Sequence, residues 1–160
     1  MPHLQFELNF NLSADEKRRF ANTVIRRFAE IMDTGTDHIA VTLRCFAHDD
    51  LAFGRARASG GRTAFVNADI RAGRTREQKR RLSLAYVDEI ARTWGVAPEA
   101  VYVILTEHDG EHFQLSDRVL PSWSRGEDPL SDPPARRRTG TPRRRGRPAS
   151  RKRATSARRG

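Results

Sequence analysis

Three residues of this chain have side chains or backbone atoms suited to chemistry, and their spacing suggests what it would be. Pro2 follows the initiator methionine directly, a context that favours removal of Met1. The chain is then expected to begin at Pro2, whose nitrogen is a secondary amine with a lone pair and not an amide. Arg71 and Arg74 stand as Arg-x-x-Arg in the stretch Ile70 to Thr75, just ahead of a helix-start pattern. Two guanidiniums beside a helix N-terminus make a fork for a carboxylate. Like charge and burial both lower the pKa of a nearby amine from its ordinary value of about 7.7–8.0. A neutral amine flanked by an anion clamp is a general base for a carbon acid next to a carboxylate. The alternative is that Arg71 and Arg74 are solvated turn residues near Asp69 and Glu77.

These residues could meet only if the elements carrying them are paired in a particular way. Leu4, Phe6, Leu8 and Phe10 alternate, which reads as a strand from His3 to Phe10. Ser13 with Glu16 is a capping box, and Phe20, Val24, Phe28 and Met32 recur at intervals of four along one helical face. Thr34-Gly35-Thr36 is expected to stop that helix through its glycine. Ile39, Val41, Leu43 and Cys45 alternate as a second strand. The pattern then restarts: a strand over Thr63 to Ile70, a capping box at Thr75 and Gln78, and Leu82, Tyr86, Ile90 and Trp94 at intervals of four. Gly95 follows as a stop, and Val101 to Leu105 is a nearly continuous apolar strand.

Ser13, Lys17, Arg18 and Arg19 superpose on Thr75, Lys79, Arg80 and Arg81 at an offset of 62 residues, and Gly35 on Gly95 at an offset of 60. The chain is therefore read as a duplicated β-α-β unit, residues 2–46 and 63–106, each a right-handed parallel crossover. The fold class is α/β (α+β), a four-stranded sheet with both helices on one face. Strands one and three should be central and antiparallel, bringing Pro2 towards Arg71 and Arg74. The positions matching these arginines in the first unit are Asn9 and Leu12. The other sheet face reads as too apolar to meet water and is expected to pack in an oligomer.

Charge separates the chain into two parts. The whole carries thirty basic and twenty acidic residues, net +10, but residues 136–160 hold twelve Arg or Lys and no acid. Residues 1–135 keep the remaining eighteen basic against all twenty acidic residues, a formal −2. A folded domain over 1–123 and a disordered Arg/Pro-rich tail over 124–160 follow. Within the tail, Arg145-Gly146-Arg147-Pro148 is similar to an AT-hook core. Weak, salt-sensitive nucleic-acid or other polyanion binding through 136–160 is the expectation, with an inert tail as the alternative. A single cysteine excludes an internal disulfide, and no Cys/His spacing reads as a metal site. No apolar run approaches the roughly 20 residues of a membrane span, and a cytoplasmic location is expected.

With these residues in view, the chain resembles the tautomerase superfamily in its fused two-repeat form. The resemblance rests on Pro2 after Met1, the Arg74 to Lys79 helix entry, Gly95 to Pro98 before the strand Val101 to Glu107, and His112-Phe113 four residues beyond. It spans roughly residues 2–123. Arg71-x-x-Arg74 is similar to the paired arginines of cis-3-chloroacrylic acid dehalogenase, and Arg118 to Pro121 fits the same subgroup. The resemblance implies a homotrimer without a cofactor, acting on a small 2-oxo or 2-hydroxyalkenoic acid as a keto–enol tautomerase. Pro2 is then the base, Arg71 and Arg74 hold the carboxylate, and Phe113 is an apolar wall. Tyr102 could donate to the enolate, and Asp37 resembles in position the aspartate of malonate semialdehyde decarboxylase, with capping of the turn as its other reading. Phe28, Leu115 and Ile104 occupy the places where that dehalogenase has histidine, glutamate and tyrosine, so hydrolytic dehalogenation lacks its base for water. Decarboxylation or hydration, or nonenzymatic polyanion binding by an oligomer, are the competing functions. The histidines at 3, 38 and 48 are read as strand and connector residues, and those at 108 and 112 as loop residues.

Overall fold

A computed structural model describes residues 2–56 and 61–116. The order is β1 (His3–Leu8), α1 (Ala14–Met32), β2 (Ala40–Cys45), β3 (Ala64–Arg71), α2 (Arg76–Trp94) and β4 (Val101–His108). Short 3-10 turns stand at His48–Asp50, Pro98–Ala100 and Gly110–His112. The sheet runs β2-β1-β3-β4, with β1 parallel to β2, β3 parallel to β4, and the central pair antiparallel. This is the duplicated unit expected from the sequence, its halves joined through the central strands.

Both helices start where their side chains satisfy the free N–H groups of the first turn. The Ser13 hydroxyl accepts from the Glu16 N–H at 3.2 Å and the Glu16 carboxylate accepts from the Ser13 N–H at 2.8 Å. Thr75 and Gln78 repeat the exchange at 3.1 and 3.0 Å. Gly95 closes α2 in the left-handed region (φ 67°). The first helix ends differently from the expectation. Asp33, not Gly35, adopts the left-handed conformation (φ 51°), and the Thr34 N–H bonds back to the Ala29 carbonyl at 3.1 Å. Aspartate tolerates this conformation better than most residues, so the glycine two positions on is free for another role.

The core lies between one sheet face and the two helices. Leu4, Phe6 and Leu8 are fully buried there beneath Phe20, Val24, Phe28 and Met32 of α1 and Leu82, Tyr86, Ile90 and Trp94 of α2. Phe6 meets Phe20 and Tyr86 edge-on, at 5.0 and 5.4 Å between ring centroids, a favoured aromatic geometry. The Gln78 amide donates to the Ile31 carbonyl at 3.2 Å, which sets the start of α2 against the end of α1.

The second face is mixed in character, correcting the expectation of one too apolar to meet water. His3, Gln5 and Glu7 alternate with the buried Leu4, Phe6 and Leu8 of β1, and Asn67 and Asp69 take the same positions on β3. Apolar side chains concentrate in one patch, where Phe53 stacks on Tyr102 at 5.5 Å beside Phe65 and Ile104. Tyr102 and Ile104 are nearly half exposed. The strand β4 also runs three residues beyond the apolar stretch, because Thr106, Glu107 and His108 pair with Asp69, Ile70 and Arg71.

Candidate active site

The end of β3 delivers Arg71 and turns sharply into α2. The Ala72 N–H donates to the His108 carbonyl at 2.8 Å, holding the chain against β4 for one residue past the strand. Gly73 then takes φ 104°, a conformation that a side chain at this position would strain. Arg74 follows immediately and Thr75 caps the helix. Arg71 is only 8 % exposed and Arg74 is half-buried. The pair is crowded: burial, and after it the charge of Arg71, pulls the Arg74 guanidinium down to about 10, while Asp33 at the end of α1 opposes the shift. These arginines are not solvated turn residues.

Pro2 lies at the same end of the sheet. It is buried, and its carbonyl accepts from the Ala40 N–H at 3.1 Å. His3 pairs with Asp69 on the antiparallel side and with Ala40 on the parallel side. Continuing both registers by one residue sets Pro2 opposite Ile70 and beside Ile39, one position short of Arg71 and of His38.

His38 is the residue that sequence reasoning missed. It is 8 % exposed, with Nδ1 3.0 Å from the Asp37 carboxylate and Nε2 3.3 Å from the Thr34 hydroxyl. Burial is the main force pushing its pKa down. The Asp37 hydrogen bond opposes this, and the positive charges of the amino terminus and Arg71 act with burial. Gly35 lies against the pair: a Cβ there would stand 3.2 Å from Asp37 Oδ1 and 3.9 Å from His38 Cε1. The glycine thus makes room for the Asp37 carboxylate that bonds the imidazole. The signal available in the sequence was Gly35-x-Asp37-His38 directly before a strand that pairs with the amino end of β1. Asp37 engages His38 through Oδ1.

The remaining candidates divide. Phe113 reaches this end of the sheet, its ring 5.7 Å from that of His108, which in turn stands 3.1 Å from Asp69. Tyr102 does not. It pairs with Phe65, six residues along the strand from the Arg71–His108 pair, or roughly 20 Å at about 3.3 Å per residue. Within one chain, Tyr102 cannot donate to a group held by Arg71. Glu107 binds Lys79 of α2 at 2.7 Å and anchors β4, as a structural carboxylate. His3 bonds Thr42 across the second face at 2.8 Å. Phe28 is core, Ile104 belongs to the patch on the second face, and Leu115 is half-buried. The Arg118 to Pro121 stretch and the tail with its Arg145 to Pro148 segment lie outside the described residues.

Chemically, this end of the sheet offers a buried backbone nitrogen position, two crowded guanidiniums at a helix start, and an imidazole–carboxylate pair. Residues 65–121 match the model of the tautomerase enzyme family. No curated protein matches the sequence. Among solved structures, the chain is similar to N1, a member of the cis-3-chloroacrylic acid dehalogenase family, at 20 % identity and a TM-score of 0.66, covering 75 % of this chain and 84 % of that one. It is similar to a fused 4-OT described as a symmetric trimer, at 20 % identity and a TM-score of 0.63, covering 72 % and 92 %. It also resembles FG41 malonate semialdehyde decarboxylase, inhibited by 3-bromopropiolate, at 21 % identity and a TM-score of 0.60, covering 71 % and 88 %. Each likeness is one of fold, and the sequence match to the tautomerase enzyme family covers the second β-α-β unit.

Proposed function

We propose that the protein is a cofactor-independent keto–enol tautomerase of a small 2-oxo or 2-hydroxyalkenoic acid. The observation that carries the reading is the convergence of Pro2, Arg71 and Arg74 at one end of the sheet. After removal of Met1, the Pro2 nitrogen takes the enol proton and returns it to the neighbouring carbon, so the base is regenerated and no other reactant is consumed. Arg71 and Arg74 hold the carboxylate and stabilise negative charge as it spreads onto the 2-oxygen. Phe113 shields the nitrogen from water. Asp37 is bonded to His38 and is not itself the acid. The mutual crowding of Arg71 and Arg74 favours an anion between them and disfavours a proton on the amine.

Hydrolytic dehalogenation is disfavoured because Phe28, Ile104 and Leu115 supply no base for water. Decarboxylation of a 3-oxo acid is the competing chemistry, since the same clamp would hold its carboxylate. The second face, with its Phe53, Phe65, Tyr102 and Ile104 patch, supports self-association as a trimer. The basic segment 136–160 is proposed as a separable, salt-sensitive polyanion contact, tested by truncation at residue 130: tautomerisation should persist and DNA retention should vanish.

The test of the enzymatic reading is turnover of phenylenolpyruvate against pH by wild type and Pro2→Ala, with the mature N-terminus read by mass spectrometry. General-base loss predicts a fall of about 10²–10⁴ in kcat/KM. Undiminished turnover in the variant, or a chain retaining Met1, refutes the mechanism.

A further inference from the structure

His38 occupies a place that the tautomerase reading does not use. It is nearly inaccessible, yet both ring nitrogens have partners on the loop that leads into β2. Around it stand Asp37 from its own loop, Thr34 from the end of α1, the amino terminus ahead of β1, and Arg71 from β3. Arg74 and Asp33 form the next layer through Arg71. The strand registers bring these groups to one end of the sheet, and Gly35 leaves the space in which the Asp37–His38 pair sits.

We propose that His38 is a third member of the carboxylate clamp, taking up a proton as an anion docks at Arg71 and Arg74. The inference rests on the clamp proposed above but not on the chemistry assigned to Pro2. In the empty site, burial first and the charge of Arg71 with it keep the imidazole neutral. The proton-bound form already has an acceptor in the Asp37 carboxylate. A docked anion cancels the repulsion from Arg71 and adds its own attraction to that of the Asp37 carboxylate, and the two together offset the burial that disfavours the imidazolium. The proton comes from solvent, and Nδ1 and Nε2 are then both donors, towards Asp37 and towards Thr34 or the ligand. An opposite charge at about 4–6 Å raises such a midpoint by about 1 unit or more. Reciprocity then requires that mild acid tighten anion binding about tenfold across that window. The site suits a substrate carrying more than one negative oxygen, such as a 2-oxo acid whose enolate develops beside its carboxylate.

The experiment uses oxalate, an unreactive planar dianion, with the full-length protein. Calorimetry in two buffers of different ionisation enthalpy near pH 6.5 should show uptake of a fraction of a proton per site in the wild type and none in His38→Gln. The His38 ring resonance, titrated by NMR in the wild type, should move to a higher midpoint when oxalate is added, and this holds whether or not the glutamine variant folds. Oxalate binding without proton uptake, or with uptake that survives His38→Gln, overturns the proposal while leaving the clamp intact. Binding that is indifferent to Arg71→Gln, or no binding to the wild type, overturns clamp and proposal together. Loss of turnover in Pro2→Ala bears on neither result, so the two readings fail separately.

Discussion

The duplicated units place an asparagine where the other has its first arginine, and the two positions should fail in opposite ways when cut back. Asn9 is 5 % exposed and follows β1 as Arg71 ends β3. Its Oδ1 accepts from the Thr63 N–H at 2.7 Å, and its amide donates to the carbonyls of His48 and Gly61 at 3.4 Å each. The Asn9 N–H also donates to the Thr63 carbonyl, at 3.3 Å. In Asn9→Ala the Thr63 N–H, on a residue only 2 % exposed, loses its acceptor. An orphaned buried donor costs about 1–3 kcal/mol. The two long bonds end on loop carbonyls and add little, so the expected loss is about 2 kcal/mol. For a folded unit of this size that corresponds to a fall in Tm of about 6–10 °C. Calorimetry at fixed protein concentration is the assay, because association makes Tm concentration-dependent. At 20 °C the surviving folded protein should bind oxalate and turn over phenylenolpyruvate as before. A loss below about 0.5 kcal/mol, or an activity defect in folded protein, would refute the division of labour between the two turns.

Arg71→Gln should do the reverse, leaving Tm nearly unchanged while weakening oxalate binding about 10- to 100-fold, as expected for a charge-assisted contact of about 1.5–3 kcal/mol; calorimetric titration checks it. Gly73→Ala strains a residue at φ 104° by about 1–3 kcal/mol, and its displacement of Arg74 should appear as an increase in KM for phenylenolpyruvate. Tyr86→Phe should stabilise the fold by about 1 kcal/mol in urea melts, because the buried hydroxyl has no hydrogen-bond partner among the described residues and its ionisation is pushed far up by burial. Stability should decline as pH falls from 6.5 through the lower midpoint of folded His38, since the unfolded chain there binds the extra proton. The decline should flatten in His38→Gln, and denaturant melts between pH 7 and 5 measure it. Tyr102→Lys places a charge in the second-face patch and should lower the mass measured by light scattering from that of the proposed trimer to that of a monomer.

The architecture was legible because its determinants are local. Two capping boxes, two four-residue apolar periodicities and an offset that maps one onto the other fix a repeated β-α-β unit, and the twofold then makes β1 and β3 antiparallel. What remained hidden depends on registers that local patterns do not carry. The polar end of β4 looks like loop until Asp69 to Arg71 pair with it. Tyr102 looks like a site residue until the same register places it far from Arg71. His38 looks like a strand-start histidine because alternation gives the faces of a strand but not what covers its first residue. Gly35 was assigned to the helix stop, although Asp33 could make the left-handed turn and the glycine was needed beside Asp37. The open face was overestimated as apolar because Phe65 and Tyr102 stand out in the sequence, while Gln5, Glu7, Asn67 and Asp69 emerge as their neighbours only after pairing.

The mid-chain start of β3 carries a stoichiometric consequence. Ala64 opens β3 with an amide nitrogen, so the duplicated half can never present a free backbone amine at the start of its first strand, whatever the first half offers. In the mechanism proposed above, a single reactive centre per polypeptide follows, at one rim of the sheet. A reagent selective for the backbone α-amine over the ε-amines of Lys17, Lys79 and Lys152 should therefore saturate at one equivalent per chain, and the opposite rim is where the Asn9 lock takes hold.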